Sequence, residues 1–170
     1  MHVAQPPPGT VAAVEFAIDA YTGVKVRPGK GLPHAEAVAD ILRADGADET
    51  TQVAALLHDV VEDTSLTVED VRVTFGDPVA HMVGALSEDD SIKRYAARKR
   101  ALRTQIVAAG PATMDISLAD KIASLRHAAI TDASISARKL SHYRATLRLA
   151  QASGASTRLV SQLERLLDPL

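Results

Sequence analysis

The chain has no cysteine, few aromatic residues and no long apolar run. Without cysteine it can form neither a disulfide framework nor a thiolate metal site, so any metal must be bound by His, Asp or Glu. Aromatic residues make up 3% of the 170 residues and apolar residues 46%, so aliphatic side chains and alanines must fill the core. This composition favours packed helices over sheets. No run of about 18 apolar residues occurs, and we expect no membrane span.

The chain also lacks a strong charge of either sign. Nineteen Lys and Arg against 21 Asp and Glu give a formal charge of −2, and the basic residues form no stripe, which argues against a nucleic-acid binder. The opening residues MHVAQPPPGT lack the basic segment and apolar stretch of a secretory signal. We expect a soluble, cytoplasmic protein with no nucleic-acid or membrane partner, and a homo-oligomer is possible.

Glycine and proline divide the chain into helical segments. Residues 1–9 contain three consecutive prolines and read as a flexible tail, followed by a single domain over residues 10–170. Apolar spacing, caps and breakers predict helices over residues 10–21, 34–43, 50–63, 68–75, 78–86, 92–108 and 114–130, and over most of 137–167. The segment 23–33 between the first two helices is a basic loop. The sequence therefore predicts an all-α, irregular multi-helix bundle of roughly eight helices.

Local signals mark several helix boundaries and faces. Asp48 is predicted to cap the helix over residues 50–63, Thr67 and Asp70 to form a capping box, and Gly46 to end the helix before Asp48. In the first helix, Val11, Val14, Ala17 and Ile18 have the spacing of a buried stripe.

The segment LLHDVVEDT, residues 56–64, places several ionisable groups in the most apolar predicted helix. Burying such groups is costly unless they are paired or bind a metal. In one continuous helix, His58 would lie above Glu62 and Asp59 above Asp63, since residues four apart share a face. The alternative is a solvated helix end beside a hydrogen-bonded core histidine.

Two further residues complete a candidate metal site. Asp120 lies in the apolar stretch ISLADKIASL, and His34 opens a helix directly after the basic loop. With His58 and Asp59 they supply two imidazoles and two carboxylates, a set suited to Mn²⁺, Fe²⁺, Mg²⁺ or Zn²⁺. Adjacent residues of a helix point about 100° apart, so His58 and Asp59 could share one ion only if other helices complete the coordination.

These segments resemble the HD-domain phosphohydrolases, and among them the (p)ppGpp hydrolases, which are the hydrolase domain of bifunctional alarmone enzymes and stand-alone, animal-type small hydrolases. The similarity is carried by HAEAVADIL from His34, AALLHDVVEDTSLTVEDVRVTFGDPVAHMV from Ala54 and SLADKIASLR from Ser117, within residues 10–150. It implies an HD-type all-α fold and a metal-dependent hydrolase that removes the 3′-pyrophosphate of ppGpp or pppGpp and leaves GDP or GTP.

The resemblance also implies a role for each matching residue. His34, His58, Asp59 and Asp120 would bind the metal, typically Mn²⁺. Glu62 and Asp63 would orient or deprotonate the attacking water, which agrees with the chemistry of a carboxylate beside a bound cation. Substrate contacts would come from Lys25, Arg27, Lys121 and Ser124. Four basic residues of the mixed-charge helix, Arg94, Arg98, Lys99 and Arg100, are expected on its solvated face, where some could reach the pyrophosphate end.

The sequence departs from the family pattern around the substrate. The usual run R-K-x-G-x-P-Y-x-x-H-P is replaced by VKVRPGKGLPHA, and Ser124 stands where an asparagine that touches the ribose is usual. Serine is shorter and lacks the amide donor. Two alternatives therefore stay open, namely an HD-domain phosphatase acting on another nucleotide, such as a nucleoside monophosphate or a dinucleotide cofactor, and a non-catalytic nucleotide sensor of the same fold.

Overall fold

The computed structural model describes residues 8–170, and within this range it contains helices and no strand. The all-α prediction is confirmed. In chain order the helices are α1 (Pro8–Tyr21), α2 (Leu32–Asp45), α3 (Glu49–Leu57), α4 (Val60–Asp63), α5 (Val68–Phe75), α6 (Asp77–Leu86), α7 (Tyr95–Ala109), α8 (Pro111–Thr131), α9 (Ala137–Ala150) and α10 (Thr157–Leu167). In the described part of the chain, no helix is long and apolar enough to cross a membrane.

Helix α1 begins at Pro8, slightly before the expected start at Thr10. A proline is tolerated in the first turn of a helix because the N–H it lacks would have no partner there. The backbone N–H of Gly9 donates to Glu49 Oε1 at 2.6 Å, which ties the start of α1 to the start of α3. Residues 1–7 of the predicted flexible tail lie outside the described residues.

The predicted buried stripe of α1 is wrong in two positions. Val11 and Ile18 are 44% and 51% exposed, whereas Ala13 and Ala17 are fully buried. The reason is that α1 packs against α3 through its small residues, and alanines let two helices approach closely.

The helix predicted over residues 50–63 is interrupted at His58 and Asp59, so α3 and α4 are separate. In a continuous helix the Ala55 carbonyl would accept from the N–H of Asp59. Here it accepts instead from the backbone N–H of His58 at 3.4 Å and from the ring Nδ1 of His58 at 2.7 Å. A side chain that bonds the backbone in this way competes with the helix, and the chain turns at the histidine.

The predicted caps are confirmed. Asp48 accepts from the N–H of Thr51 at 2.8 Å, Gly46 ends α2 in a left-handed conformation, and Thr67 with Asp70 forms a capping box at the start of α5.

Helices α2, α3 and α8 form the centre of the bundle. Leu42, Leu57, Leu118 and Ile122 are fully buried among them, and α9 and α10 also pack against α8. This packing brings the first turn of α2, the end of α3 and the middle of α8 to one place. That place holds the candidate site.

Candidate functional site

Three side chains from three separate segments converge at the centre of the bundle. His34 lies in the first turn of α2, His58 at the end of α3 and Asp120 in the middle of α8. His34 Nε2 lies 2.9 Å and His58 Nε2 3.9 Å from Asp120 Oδ1, and the potential ligand atoms of the three residues all lie within 4.8 Å of one another. Such spacing suits donors of one cation, since each Zn–N or Zn–O bond is about 2 Å long.

His58 carries the clearest sign of a metal ligand. Its Nδ1–H donates to the Ala55 carbonyl at 2.7 Å, which leaves Nε2 as the ring nitrogen with a free lone pair. This Nε2 atom is buried and has no hydrogen-bond partner. A backbone bond that fixes the ring so that the other nitrogen faces the cluster is typical of metal-binding histidines. The residues present therefore fit a divalent cation.

Asp59 lies at the edge of this cluster. Its Oδ1 is 3.3 Å from His58 Nε2, and its Oδ2 accepts from Lys30 Nζ at 2.6 Å. Burial alone would raise the pKa of the neighbouring Asp120, but the hydrogen bond with His34 and the charges of Lys121 and Lys30 outweigh burial and hold that pKa well below its usual range. Both carboxylates are therefore charged at neutral pH.

Glu62 and Asp63 follow on α4, where the backbone N–H of Asp63 donates to the Asp59 carbonyl at 2.9 Å, and both side chains line the same cleft as His58 and Asp59. Glu62 Oε1 accepts from the N–H of Glu88 at 2.6 Å, and Asp63 Oδ2 accepts weakly from the Tyr21 hydroxyl at 3.4 Å. Taken over all its atoms, Glu62 is exposed to solvent, yet its side chain lines the wall of the cleft. Loss of hydration there raises its pKa to about 7.

The cluster opens into a cleft of about 450 Å³, a volume in the usual range for small-molecule sites. Its wall carries acidic and basic side chains together. The acids are Asp59, Glu62, Asp63, Glu88 and Asp120, and the bases are Arg27, Lys30, Lys99, Lys121, Arg138 and Lys139. Asp59 and Asp120 are themselves candidate metal ligands, and the bases can hold an anionic ligand.

The structure brings three of the four predicted substrate residues to this cleft. Arg27, Lys121 and Ser124 line it, whereas Lys25 is exposed and outside its wall. Lys121 is buried and donates to the Ser117 carbonyl at 3.0 Å and hydroxyl at 2.9 Å. Burial lowers the pKa of Lys121 to about 8. Of the four basic residues expected on the solvated face, Lys99 lines the cleft, while Arg98 binds Glu88 at 2.5 Å.

The sequence reasoning missed the contribution of α9. Lys139, His142 and Tyr143 project from it into the cleft. Arg103 donates to His142 Nδ1 at 2.8 Å, and burial together with the charges of Lys121, Lys99 and Arg103 lowers the pKa of His142 to about 2. This histidine is therefore neutral, and its other ring nitrogen is a donor.

One signal for this part of the site was present in the composition. The chain has three tyrosines, of which Tyr95 and Tyr143 line the cleft and Tyr21 contacts Asp63. The Lys121 and Lys139 ammonium groups each lie 5.6 Å from the centroid of the Tyr143 ring. In a chain so poor in aromatics, the tyrosines would have been a useful indicator of a binding site.

Comparisons with known proteins identify sequence relatives of this chain. Mouse guanosine-3′,5′-bis(diphosphate) 3′-pyrophosphohydrolase MESH1 is 33% identical over 119 residues, which cover 67% of this chain and 66% of that protein. A probable GTP pyrophosphokinase of Mycobacterium leprae is 41% identical over 98 residues, 56% of this chain and 12% of that protein. The chain thus spans about an eighth of the length of this longer relative.

Solved structures show the same fold. A metazoan ortholog of SpoT, described as hydrolysing ppGpp, superposes with a TM-score of 0.81 at 24% identity and covers 98% of both chains. A Listeria monocytogenes protein superposes with a TM-score of 0.69 at 28% identity, covering 79% of this chain and 95% of that one.

The family match covers most of the chain. The profile of the HD domain matches residues 13–154, a range that includes α2, α3 and α8 with all four candidate ligands. The resemblance inferred from the motifs is confirmed, and the chain belongs to the HD-domain family.

Proposed function

We propose that this protein is a metal-dependent pyrophosphohydrolase that removes the 3′-pyrophosphate from guanosine tetra- or pentaphosphate, giving GDP or GTP and pyrophosphate. The observation that carries the proposal is the Nε2 atom of His58, which is buried, has no hydrogen-bond partner and lies beside His34 and Asp120. These residues lie in a cleft whose wall carries basic side chains. The identity to mouse MESH1, whose name states this activity, supports the choice of substrate.

The metal would be held by His34, His58, Asp59 and Asp120, and we propose Mn²⁺. When bound, such an ion polarises a phosphoryl oxygen and makes water a better nucleophile. Two histidines and two carboxylates are a hard to borderline ligand set that suits this ion.

Glu62 and Asp63 would handle the water. Glu62 has a pKa of about 7, so near neutral pH a substantial fraction is in the carboxylate form that accepts a proton, and a base tuned to the working pH is efficient. Asp63 would orient the same water. The water would give a proton to Glu62, and its oxygen would bond to the phosphorus attached to the ribose 3′ oxygen. The bond between this phosphorus and the 3′ oxygen would break, pyrophosphate would be released, and the proton given up by the water would balance the one gained by the 3′ oxygen, which leaves as a hydroxyl.

The basic residues of the cleft would hold the nucleotide. Arg27 and Lys121 lie on its wall, and charge-assisted hydrogen bonds to phosphate are among the stronger polar contacts in proteins. Ser124, which lines the cleft together with Tyr143, would face the ribose. Lys25 would reach the nucleotide only if the loop over residues 23–33 moves toward the cleft, so we propose a weaker contact for it.

The test is the product released from ppGpp by the purified protein. We expect pyrophosphate release with Mn²⁺ and none after chelation with EDTA. His58→Ala should abolish it, and Lys93→Ala, at an exposed position outside the cleft wall, should serve as the matched control. Release of orthophosphate alone would contradict the alarmone assignment.

A second candidate, an HD-domain phosphatase of another nucleotide, is favoured by Ser124 and by the position of Lys25 outside the cleft. Assays with nucleoside monophosphates and dinucleotide cofactors under the same conditions separate the two. A non-catalytic nucleotide sensor would bind ppGpp without releasing any product.

We further propose a cytoplasmic location, which can be tested by detecting the native protein with an antibody in fractionated cells. A homo-oligomer would be detected by light scattering.

A further inference from the structure

Lys30 lies in the loop between α1 and α2 and reaches the candidate metal site from outside the central helices. Its Nζ is 2.6 Å from Asp59 Oδ2, and its side chain is 32% exposed against 11% for that of Asp59. The loop R-P-G-K-G around it departs from the usual family pattern. Lys30 therefore adds a contact that is not part of the motif by which the chain is assigned to its family.

The backbone on both sides holds Lys30 in this position. The N–H of Lys30 donates to the Arg27 carbonyl at 3.1 Å, and Gly29 and Gly31 have φ of +74° and +76°, which favours glycine. A Cβ on Gly29 would lie 2.7 Å from His127 Cδ2 and one on Gly31 would lie 3.0 Å from Val26 Cγ2. The loop is thus packed against α8 with the lysine directed at Asp59.

The two oxygens of Asp59 are used differently. Oδ1 faces the cluster, 3.3 Å from His58 Nε2, while Oδ2 is bonded to the ammonium group of Lys30. A carboxylate held in this way has one oxygen free to bind a cation and cannot rotate to offer the other without losing its charged hydrogen bond. Removing a residue that holds a metal ligand in this manner typically lowers the metal affinity by 10- to 100-fold.

We propose that Lys30 is a positioning residue that holds Asp59 as a one-oxygen metal ligand and links the substrate-side loop to the metal site. This inference rests on the proposed metal site. A competing effect has the opposite sign, because a positive charge near a cation repels it. The orienting effect of Lys30 on Asp59 outweighs this repulsion, so loss of Lys30 weakens metal binding.

The experiment is a calorimetric titration of the metal-free protein with MnCl₂. Lys30→Met keeps the length of the side chain and removes its charge and donor, and its dissociation constant for Mn²⁺ should rise by about 10- to 100-fold. Lys30→Gln keeps a donor, and its loss should be smaller. Lys93→Met removes an exposed lysine outside the cleft and should leave the affinity unchanged. Circular dichroism reports whether each variant is folded.

A double-mutant cycle tests whether Lys30 acts through Asp59. In an Asp59→Ala background, which removes both carboxylate oxygens, Lys30→Met should cause little further loss of affinity, since the bond it removes is already gone. Unchanged or tighter Mn²⁺ binding by folded Lys30→Met and Lys30→Gln would overturn the inference. If instead the wild-type protein binds no Mn²⁺, or His34→Ala binds as well as wild type, the proposed metal site itself is wrong.

Discussion

The surroundings of the carboxylates in the cleft shift their pKa values in opposite directions. Asp120 is held in the charged form by His34 and nearby lysines, whereas loss of hydration brings the pKa of Glu62 to about 7. One carboxylate is therefore suited to bind a cation at all physiological pH values. The other is suited to exchange a proton near neutrality.

Glu62 gives a pH-dependent prediction. A general base works only when deprotonated, so kcat should fall as the pH drops through about 7, the pKa of Glu62. Glu62→Gln should lower kcat by roughly 10²- to 10⁴-fold and remove this step from the profile, while Mn²⁺ affinity is retained. Glu69→Gln, on an exposed part of α5, is the matched control. An unchanged pH profile in Glu62→Gln would assign the base elsewhere.

Arg27 and Lys25 give a prediction about substrate binding. Arg27 lines the cleft and Lys25 does not. We expect Arg27→Ala to raise KM about tenfold with little change in kcat, as expected for loss of one charge-assisted contact made in both ground and transition states. Lys25→Ala should raise KM less. Steady-state kinetics with ppGpp measures both, and a larger effect at Lys25 would show that the loop changes conformation when substrate binds.

At the scale of the helices, the site depends on where α3 begins and ends. Asp48 fixes the start by accepting a hydrogen bond from Thr51, and His58 fixes the end by bonding the Ala55 carbonyl. Between them lie seven buried residues in succession, from Thr51 to Leu57. A shift of this helix would displace His58 from Asp120.

The contribution of the Asp48 cap of α3 can be tested by measuring the free energy of unfolding. Asp48→Ala should lower the free energy of unfolding by about 1 kcal/mol, and Asp48→Asn should keep most of it. The hydrogen bond from Thr51 lowers the pKa of Asp48, so its stabilisation is present above the unfolded pKa of about 3.9 and lost as the pH falls through the folded pKa. Urea unfolding at neutral and acidic pH measures this. An equal difference between wild type and Asp48→Ala at both pH values would contradict it.

At the scale of the molecule, we propose that residues 10–170 form one domain. Leu163 of α10 is fully buried, and α10 packs against α8, the helix that carries Asp120. The C-terminal helix therefore packs on the helix that carries Asp120 and contributes no residue to the cleft wall.

Leu163→Ala tests this unit. The lost burial and the cavity should cost about 3 kcal/mol, and unfolding should still occur as one transition that fluorescence and circular dichroism report identically. Leu170→Ala, at a position 58% exposed, should have little effect. Two separate transitions, with only one shifted by Leu163→Ala, would show that α10 belongs to a different unit.

Features that depend on neighbouring residues or on a specific motif were predictable from the amino-acid sequence. Helix caps at Asp48 and at Thr67 with Asp70 were predictable because a cap joins groups three residues apart. The HD-domain assignment was predictable because three motifs occur in the required order. The set of His and Asp candidates followed from ionisable residues placed in apolar helices.

Which side chains meet in the cleft was not predictable from the sequence, because it depends on how the helices pack. Four features were not predicted. They are the end of helix α3 at His58, the alanine face of α1, the bond from Lys30 to Asp59 and the presence of Tyr143 in the cleft. The last three depend on contacts between segments far apart in the chain, which arise from how helices pack. The end of α3 at His58 comes instead from a local bond to Ala55 that apolar periodicity does not reveal. Sequence periodicity predicts which face of a helix is buried, but it does not predict which other helix covers that face. The substrate side of this cleft is formed by side chains from several such packed segments.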